Sequence, residues 1–267
     1  MMNNIVIAFL MTLIAGLSTG IGSLIAFVAK ATNTRFLAVS LGFSAGVMIY
    51  VSFMEILPKG LEFLGEELGE RSGTWVTVLA FFGGIGLIAI IDRLIPSTEN
   101  PHEVRRVEAE AAPVAKKGDL MRMGLMTALA LALHNFPEGL ATFVSALQSP
   151  EVAIPIVVAI AIHNIPEGIA VSVPIYQATG SRKKAFAYSF LSGLAEPVGA
   201  LVGWLILMPF MTPVVYGVVF AGIAGIMVFI SLDELLPAAE KYGEHHLAIY
   251  GLIAGMGVMA ISLLLFV

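Results

Sequence analysis

Eight stretches of this chain run for about twenty residues or more with hardly a charged side chain, and what separates them is short and polar. In order they lie at roughly 5–29, 37–58, 74–95, 121–147, 151–177, 184–208, 213–237 and 246–266. About twenty apolar residues wound as a helix cover the ~30 Å of a hydrocarbon core. The pattern therefore predicts an all-α, polytopic membrane protein of eight transmembrane helices, since a soluble core would not repeat such a run eight times. The first run has neither a basic leader nor a small-residue cleavage site before a soluble domain, so it reads as a span and not as a removable signal. Only the connection at 96–120 is long; it is rich in Glu, Arg, Lys and Ala, and its His102 reads as an ordinary loop histidine. One transmembrane domain, 1–267, is expected, with helices 1–3 in 1–95, a loop at 96–120, helices 4–5 in 121–177 and helices 6–8 in 178–267.

Composition agrees with the pattern and narrows the chemistry. The chain is 58% hydrophobic and 12% charged, with mean hydropathy +0.93 and no cysteine. The missing thiol excludes a disulfide framework and thiolate ligation, and it disfavours Cu(I) and iron–sulfur centres, so any metal must be held by nitrogen and oxygen donors. Charge sets an orientation. Of the fourteen lysines and arginines, all but Lys59 and Arg71 fall in the loops 1–2, 3–4, 5–6 and 7–8. The positive-inside rule then places those loops in the cytoplasm and both termini outside it.

Two internal repeats run through the pattern. Residues 41–58 align with 220–237 and share Ala45/Ala224, Gly46/Gly225, Met48/Met227, Ser52/Ser231, Glu55/Glu234, Leu57/Leu236 and Pro58/Pro237. These frames close spans 2 and 7, which cross in opposite directions. The second repeat is His134-Asn135-Phe136-Pro137-Glu138-Gly139 in span 4 and His163-Asn164-Ile165-Pro166-Glu167-Gly168 in span 5. The expected architecture is a 3+2+3 inverted repeat, a layout used by secondary transporters with a site near the midplane. Glycines four apart, Gly16/Gly20, Gly42/Gly46, Gly199/Gly203 and Gly251/Gly255, suit close helix contact.

The second repeat carries the chemistry. On a helix His134 and Glu138 are i and i+4 with Asn135 beside them, so imidazole, amide and carboxylate share one side, and the second copy repeats this with His163, Asn164 and Glu167. Each proline strains against the carbonyl four residues earlier, and each glycine after the glutamate adds room. At 1.5 Å per residue both motifs lie roughly 18–26 Å along their helices, near or a little past mid-membrane. Glu196, about twelve residues into span 6 and again before a proline, belongs at the same depth. Three intramembrane carboxylates cost about 2.5–3.5 kcal/mol each on the lenient insertion scale. No lysine or arginine lies mid-span to neutralise them, so protons or bound cations must. Two imidazoles and two amides beside the acids favour a divalent metal such as Zn²⁺, Fe²⁺ or Mn²⁺. The competing reading is a polar packing core between two kinked helices. An intramembrane metalloprotease would need His-Glu-x-x-His, and a di-iron oxidase Glu-x-x-His pairs; neither spacing is present. Glu55, at the outer end of span 2, and Asp233 and Glu234, at the inner end of span 7, are candidates for entry and exit, or simply acids at the membrane border.

With these motifs the chain resembles the ZIP (Zrt/Irt-like) divalent metal transporters. The resemblance rests on His-Asn-x-Pro-Glu-Gly in spans 4 and 5, the glutamate of span 6, and the frames Ser-Phe-Met-Glu-Ile-Leu-Pro and Asp-Glu-Leu-Leu-Pro; it covers nearly the whole chain, least at 96–120. It implies a transporter and not an enzyme, taking up zinc chiefly, with iron, manganese, cobalt and cadmium as further cargo. It also implies a two-metal centre on helices 4, 5 and 6. His134, Glu138, His163 and Glu167 would form the first site, and Asn135, Glu138, Asn164, Glu167 and Glu196 the second, with the two motif glutamates bridging. No prosthetic group is implied; Zn²⁺ and Fe²⁺ are bound as cargo. The implied setting is a bacterial inner membrane, with lipid and metal ions as partners, no nucleic acid, and a homodimer open as the assembly. A histidine-rich cytoplasmic loop, present in many members, is missing here.

Overall fold

The computed structural model describes residues 2–28, 34–94, 117–148, 150–210, 212–241 and 245–264, and the side chain of His134 lies outside the described set. Among the described residues the fold is all-helical, and the predicted spans appear as eight rods. These are α1 (Met2–Val28), α2 (Thr34–Val51 and its continuation), α3 (Glu70–Leu94), α4 (Lys117–Gln148), α5 (Pro150–Thr179), α6 (Arg182–Gly193, then Ala195–Val202), α7 (Pro213–Ile230 and its continuation) and α8 (His245–Leu264). Seven of them carry an apolar window long enough to cross a membrane, and α4 is 32 residues long. The chain is a multi-pass membrane protein. His102 and most of the expected 96–120 loop lie outside the described residues, although Lys117–Leu120 already belong to α4.

Two boundaries differ from the sequence reading, for one physical reason. Pro58 and Pro237 do not end spans 2 and 7. In α2 the helix widens into a π turn at Ser52–Ile56, where the Leu57 N–H donates to the Ser52 carbonyl, and then continues over Leu57–Leu68. In α7 the matching frame does the same at Ser231–Leu235, with Leu236 N–H donating to Ser231 O, and continues over Leu236–Lys241. Proline lacks an N–H and crowds the carbonyl four residues back; widening the turn ahead of it relieves that crowding, so the helix passes through. Glu55, Asp233 and Glu234 therefore sit inside π turns and not at helix ends. The added segment of α2 is amphipathic: Gly60 and Leu64, one turn apart, are buried against α7, while Glu62, Glu66 and Glu67 are exposed.

Tight connections follow from local chemistry. Gly69 joins α2 to α3 at φ +81°, and Gly180 ends α5 at φ +65°, both in the region that favours glycine. Ser181 then caps α6 by accepting from Lys184 N–H, and Thr212 caps α7 by accepting from Val215 N–H.

Exposure is inverted relative to a soluble protein. Val6, Leu10, Ile14, Leu17, Ile21 and Leu24 form an exposed apolar face along α1, and Trp75, Leu79, Phe82 and Ile90 do so on α3. Many polar side chains are instead interior, among them Thr12, Ser23, Ser44, Asn135, Glu138 and His163. The helices divide into two mutually packed sets, α1/α4/α5/α6 and α2/α3/α7/α8, which meet where α2 packs on α5 and α4 on α7, with α8 also touching α5.

Glycine makes these contacts close, and of the four four-residue spacings Gly42/Gly46 and Gly251/Gly255 bring both members against a neighbouring backbone. Cβ atoms at Gly42 and Gly46 would strike the backbone of α8, and at Gly251 and Gly255 that of α2. Gly84 and Gly225 join α3 to α7 in the same way. In the first set, Gly16 of α1 and Gly193 of α6 abut each other's carbonyls, Gly22 abuts Ile165 of α5, and Gly199 abuts Phe136 of α4. Without hydrophobic pressure between helices in lipid, such backbone contact is a principal source of association.

Candidate metal centre

Both His-Asn-x-Pro-Glu-Gly motifs lie within unbroken helix; neither Pro137 nor Pro166 ends its rod. The glycines after the glutamates do not add room. A Cβ at Gly139 would land on the backbone of Glu196, and one at Gly168 on the backbone of Thr19. Each glycine instead admits a neighbouring helix, α6 against the first motif and α1 against the second. The first of these contacts delivers Glu196 to the site.

The gathered side chains are Asn135 and Glu138 of α4, His163, Asn164 and Glu167 of α5, and Glu196 of α6, all of them fully buried. His163 Nε2 is 3.0 Å from Glu138 Oε1 and 3.2 Å from Oε2, which ties the two motifs together directly. It stands 4.0 Å from Glu167 Oε1 on its own helix. Asn164 Nδ2 donates both to Glu196 Oε1 and to the Ala15 carbonyl of α1, the latter at 3.0 Å. Asn135 Nδ2 donates to the Ser192 carbonyl of α6 at 3.2 Å. Thus α1 and α6 offer backbone carbonyls to the two asparagines, one each, while the motif helices supply acid and imidazole.

Six of the seven expected metal residues are therefore brought to one buried place. The seventh, His134, has its backbone in α4 at the expected turn, and its side chain lies outside the described residues. Among the described residues no three His, Asp or Glu side chains form a ready-made chelating group. The acids are instead engaged with imidazole and amide. Asn135 Oδ1, Asn164 Oδ1 and Glu196 Oε2 are buried oxygens with no hydrogen-bond partner among the described residues. Buried acceptors of that kind cost about 1–3 kcal/mol each unless something meets them.

Glu55, Asp233 and Glu234 lie in the π turns of α2 and α7. Glu55 is half-buried and ion-paired with Lys59 one turn on, Asp233 is half-buried and Glu234 is buried.

The structure adds a residue that the sequence did not single out. Ser44 of α2, fully buried, donates to Glu167 Oε1 at 3.3 Å and to the His163 carbonyl at 3.4 Å. A serine in a membrane helix ordinarily bonds back into its own preceding turn, as Ser231 and Thr12 do here, so its letter alone gives no signal. The hint was its place between Gly42 and Gly46, which lock α2 to α8 and turn Ser44 towards α5.

Buried carboxylates, imidazole and amide oxygens on facing membrane helices are a donor set for a divalent cation with borderline to hard character. Comparison with known proteins points the same way. The family model described as ZIP zinc transporter matches residues 2–92 and 93–263. The chain is 70% identical over 260 residues to the zinc transporter ZupT of Streptococcus mutans, covering 97% of each protein. It is 61% identical to ZupT of Clostridium perfringens over all of this chain and 98% of the relative. It is also 62% identical to ZupT of Chlorobium chlorochromatii along the full length of both. This chain belongs to the ZIP zinc transporter family.

Proposed function

We propose that this protein takes up zinc across the cell membrane through the buried cluster of α4, α5 and α6. The observation that carries the reading is that three fully buried carboxylates, Glu138, Glu167 and Glu196, meet His163 and Asn164 at one place among membrane helices. The sequence holds no lysine or arginine between Arg122 and Arg182, or between Lys184 and Lys241, to balance them. A divalent cation supplies the missing charge, and the unpartnered oxygens of Asn135, Asn164 and Glu196 supply further donors. Glu138 and Glu167 bridge two ions, one held with His134 and His163 and the other with Asn135, Asn164 and Glu196. Iron, manganese, cobalt and cadmium use the same nitrogen and oxygen donors as further cargo.

The reading includes a 3+2+3 inverted repeat that spans the whole chain as one transporter domain. Exchanging α1 with α6, α2 with α7, α3 with α8 and α4 with α5 maps the main helix contacts onto one another. It turns the contact of α2 with α8 into that of α7 with α3, and the contact of α1 with α5 into that of α6 with α4. The paired π turns at Ser52–Ile56 and Ser231–Leu235 support it at residue level. The distribution of lysine and arginine supports both termini lying outside the cytoplasm, and the family resemblance supports a bacterial inner membrane as the setting. Glu55 then faces the entry side, and Asp233 and Glu234 the exit side.

The test is uptake of radiolabelled zinc by proteoliposomes holding the purified chain. Saturable uptake, absent from protein-free vesicles and from Glu138→Ala vesicles, is expected. Uptake that is linear in zinc and insensitive to that substitution would remove the proposal.

A further inference from the structure

The contacts of α1 and α6 are reciprocal residue by residue. Gly16 and Gly193 abut each other's carbonyls; Gly22 meets Ile165 as Gly199 meets Phe136; Asn164 binds the Ala15 carbonyl as Asn135 binds that of Ser192. One register aligns all of these pairs, and in it Glu196 of α6 corresponds to Thr19 of α1. Two further contacts confirm the match: Gly139 rests on the backbone of Glu196 and Gly168 on that of Thr19. The Glu196 side chain stands beside Gly16, and the Thr19 side chain beside Gly193.

Thr19 is fully buried, and its Oγ1 has no hydrogen-bond partner among the described residues. Helical threonines normally satisfy themselves on the carbonyl four residues earlier, as Thr12, Thr77, Thr142 and Thr179 do in this chain. For Thr19 that carbonyl belongs to Ala15, which already accepts from Asn164 Nδ2 and from Ser18 Oγ. On the α6 side of the pseudo-twofold the corresponding acid is bonded to Asn164 through one oxygen; on the α1 side Thr19 Oγ1 has no such bond, and Asn135 Oδ1, Asn164 Oδ1 and Glu196 Oε2 are likewise without a partner among the described residues. A buried hydroxyl with nothing to bond destabilises a fold compared with an apolar group of the same shape. Its presence calls for a ligand.

We propose that Thr19 is a further metal-binding residue: its hydroxyl is a neutral oxygen donor for the divalent cation, in the place where the other half of the repeat puts the Glu196 carboxylate. This rests on the cluster being the metal path. The asymmetry has a consequence for transport. A second acid at Thr19 would add a fourth buried carboxylate and hold the ion more tightly, whereas a hydroxyl ligates without adding charge and lets it leave.

Thr19→Val separates this from a packing role, because valine keeps the shape and removes only the hydroxyl. Zinc uptake into proteoliposomes and thermal unfolding of the purified protein are measured for wild type, Thr19→Val and Thr19→Ser. The expected result is an apparent KM for zinc raised about tenfold or more in Thr19→Val, the lower edge of what loss of a supporting polar group costs a metal site. Its Tm should be equal to or above wild type, and Thr19→Ser should bring KM back towards the wild-type value. An unchanged KM in Thr19→Val overturns the proposal, as does a lowered Tm with an equal uptake loss in Thr19→Ser, which would mark Thr19 as packing. Absence of saturable zinc uptake by wild type would instead remove the functional reading beneath it.

Discussion

Gly139→Ala adds one methyl group at the point where α4 lies against the backbone of Glu196. The atoms it would meet are the carbonyl oxygen, carbonyl carbon and Cα of that residue, none of which can swing aside as a side chain could. Overpacking a filled interior costs about 1–3 kcal/mol, and a rigid backbone neighbour puts this case at the upper end. The two helices must part by roughly 1 Å or more, and a misplacement of that size in a functional centre is worth about 10²-fold. Zinc uptake per folded molecule should therefore fall by about that factor, with a lowered Tm. Gly83→Ala is the internal control. It makes the same chemical change in an apolar helix, but its new Cβ meets nothing within 4 Å. Alanine there should leave uptake unchanged and raise helix stability by up to about 1 kcal/mol. Initial rates of radiolabelled zinc uptake, normalised to reconstituted protein, with thermal melting in detergent, give both readings. Equal behaviour of the two variants would refute the claim that the glycine after the glutamate is there to admit α6.

Glu138→Ala and Glu167→Ala should each abolish uptake while leaving folded protein that elutes as a single species, since the proposed bridging has each carboxylate serve both ions; near wild-type uptake by either would remove the bridging role. Glu196→Gln should change iron or manganese uptake more than zinc uptake, because the proposal gives Glu196 to one site only, and an equal proportional loss for all metals would contradict the two-site division. Glu55→Ala should raise the apparent KM for external zinc, whereas Asp233→Ala with Glu234→Ala should chiefly lower the maximal rate; initial-rate curves that are unchanged in both would leave these acids with a structural role. Protons compete for every ligand, so uptake at sub-saturating zinc should weaken as the metal-facing side is acidified through roughly pH 6.5, where histidine ordinarily gains its proton. An optimum well below pH 5 would argue against imidazole ligation.

Long apolar runs made the eight helices readable, because hydrocarbon leaves the backbone no partner but itself. The motif pair was readable for a related reason: polar residues are rare enough in such runs that six at matching places stand out. What failed was the reading of proline. Pro58 and Pro237 look like stops on any rule of local propensity, yet a π turn ahead of each lets the helix continue, and a widened turn leaves no mark in a list of residue types. Ser44 and Thr19 were invisible for another reason. A hydroxyl on a membrane helix is usually satisfied within its own turn, and only the packing of α2 on α5, and the double use of the Ala15 carbonyl, shows that these two are not. The role of Gly139 and Gly168 was inverted: a missing Cβ reads as space until the neighbour that fills it is known.

The central claim is that the cation sits among α4, α5 and α6. Anomalous diffraction at the zinc edge, on crystals grown with zinc and compared with data below the edge, tests it most directly. The account predicts strong peaks about 2.0–2.2 Å from His163 Nε2 and from carboxylate oxygens of Glu138 and Glu167, the ordinary zinc–nitrogen and zinc–oxygen distances. It also predicts loss of those peaks in crystals of Glu138→Ala. Zinc peaks confined to surface residues, with no density between Glu138, His163 and Glu167, would contradict it.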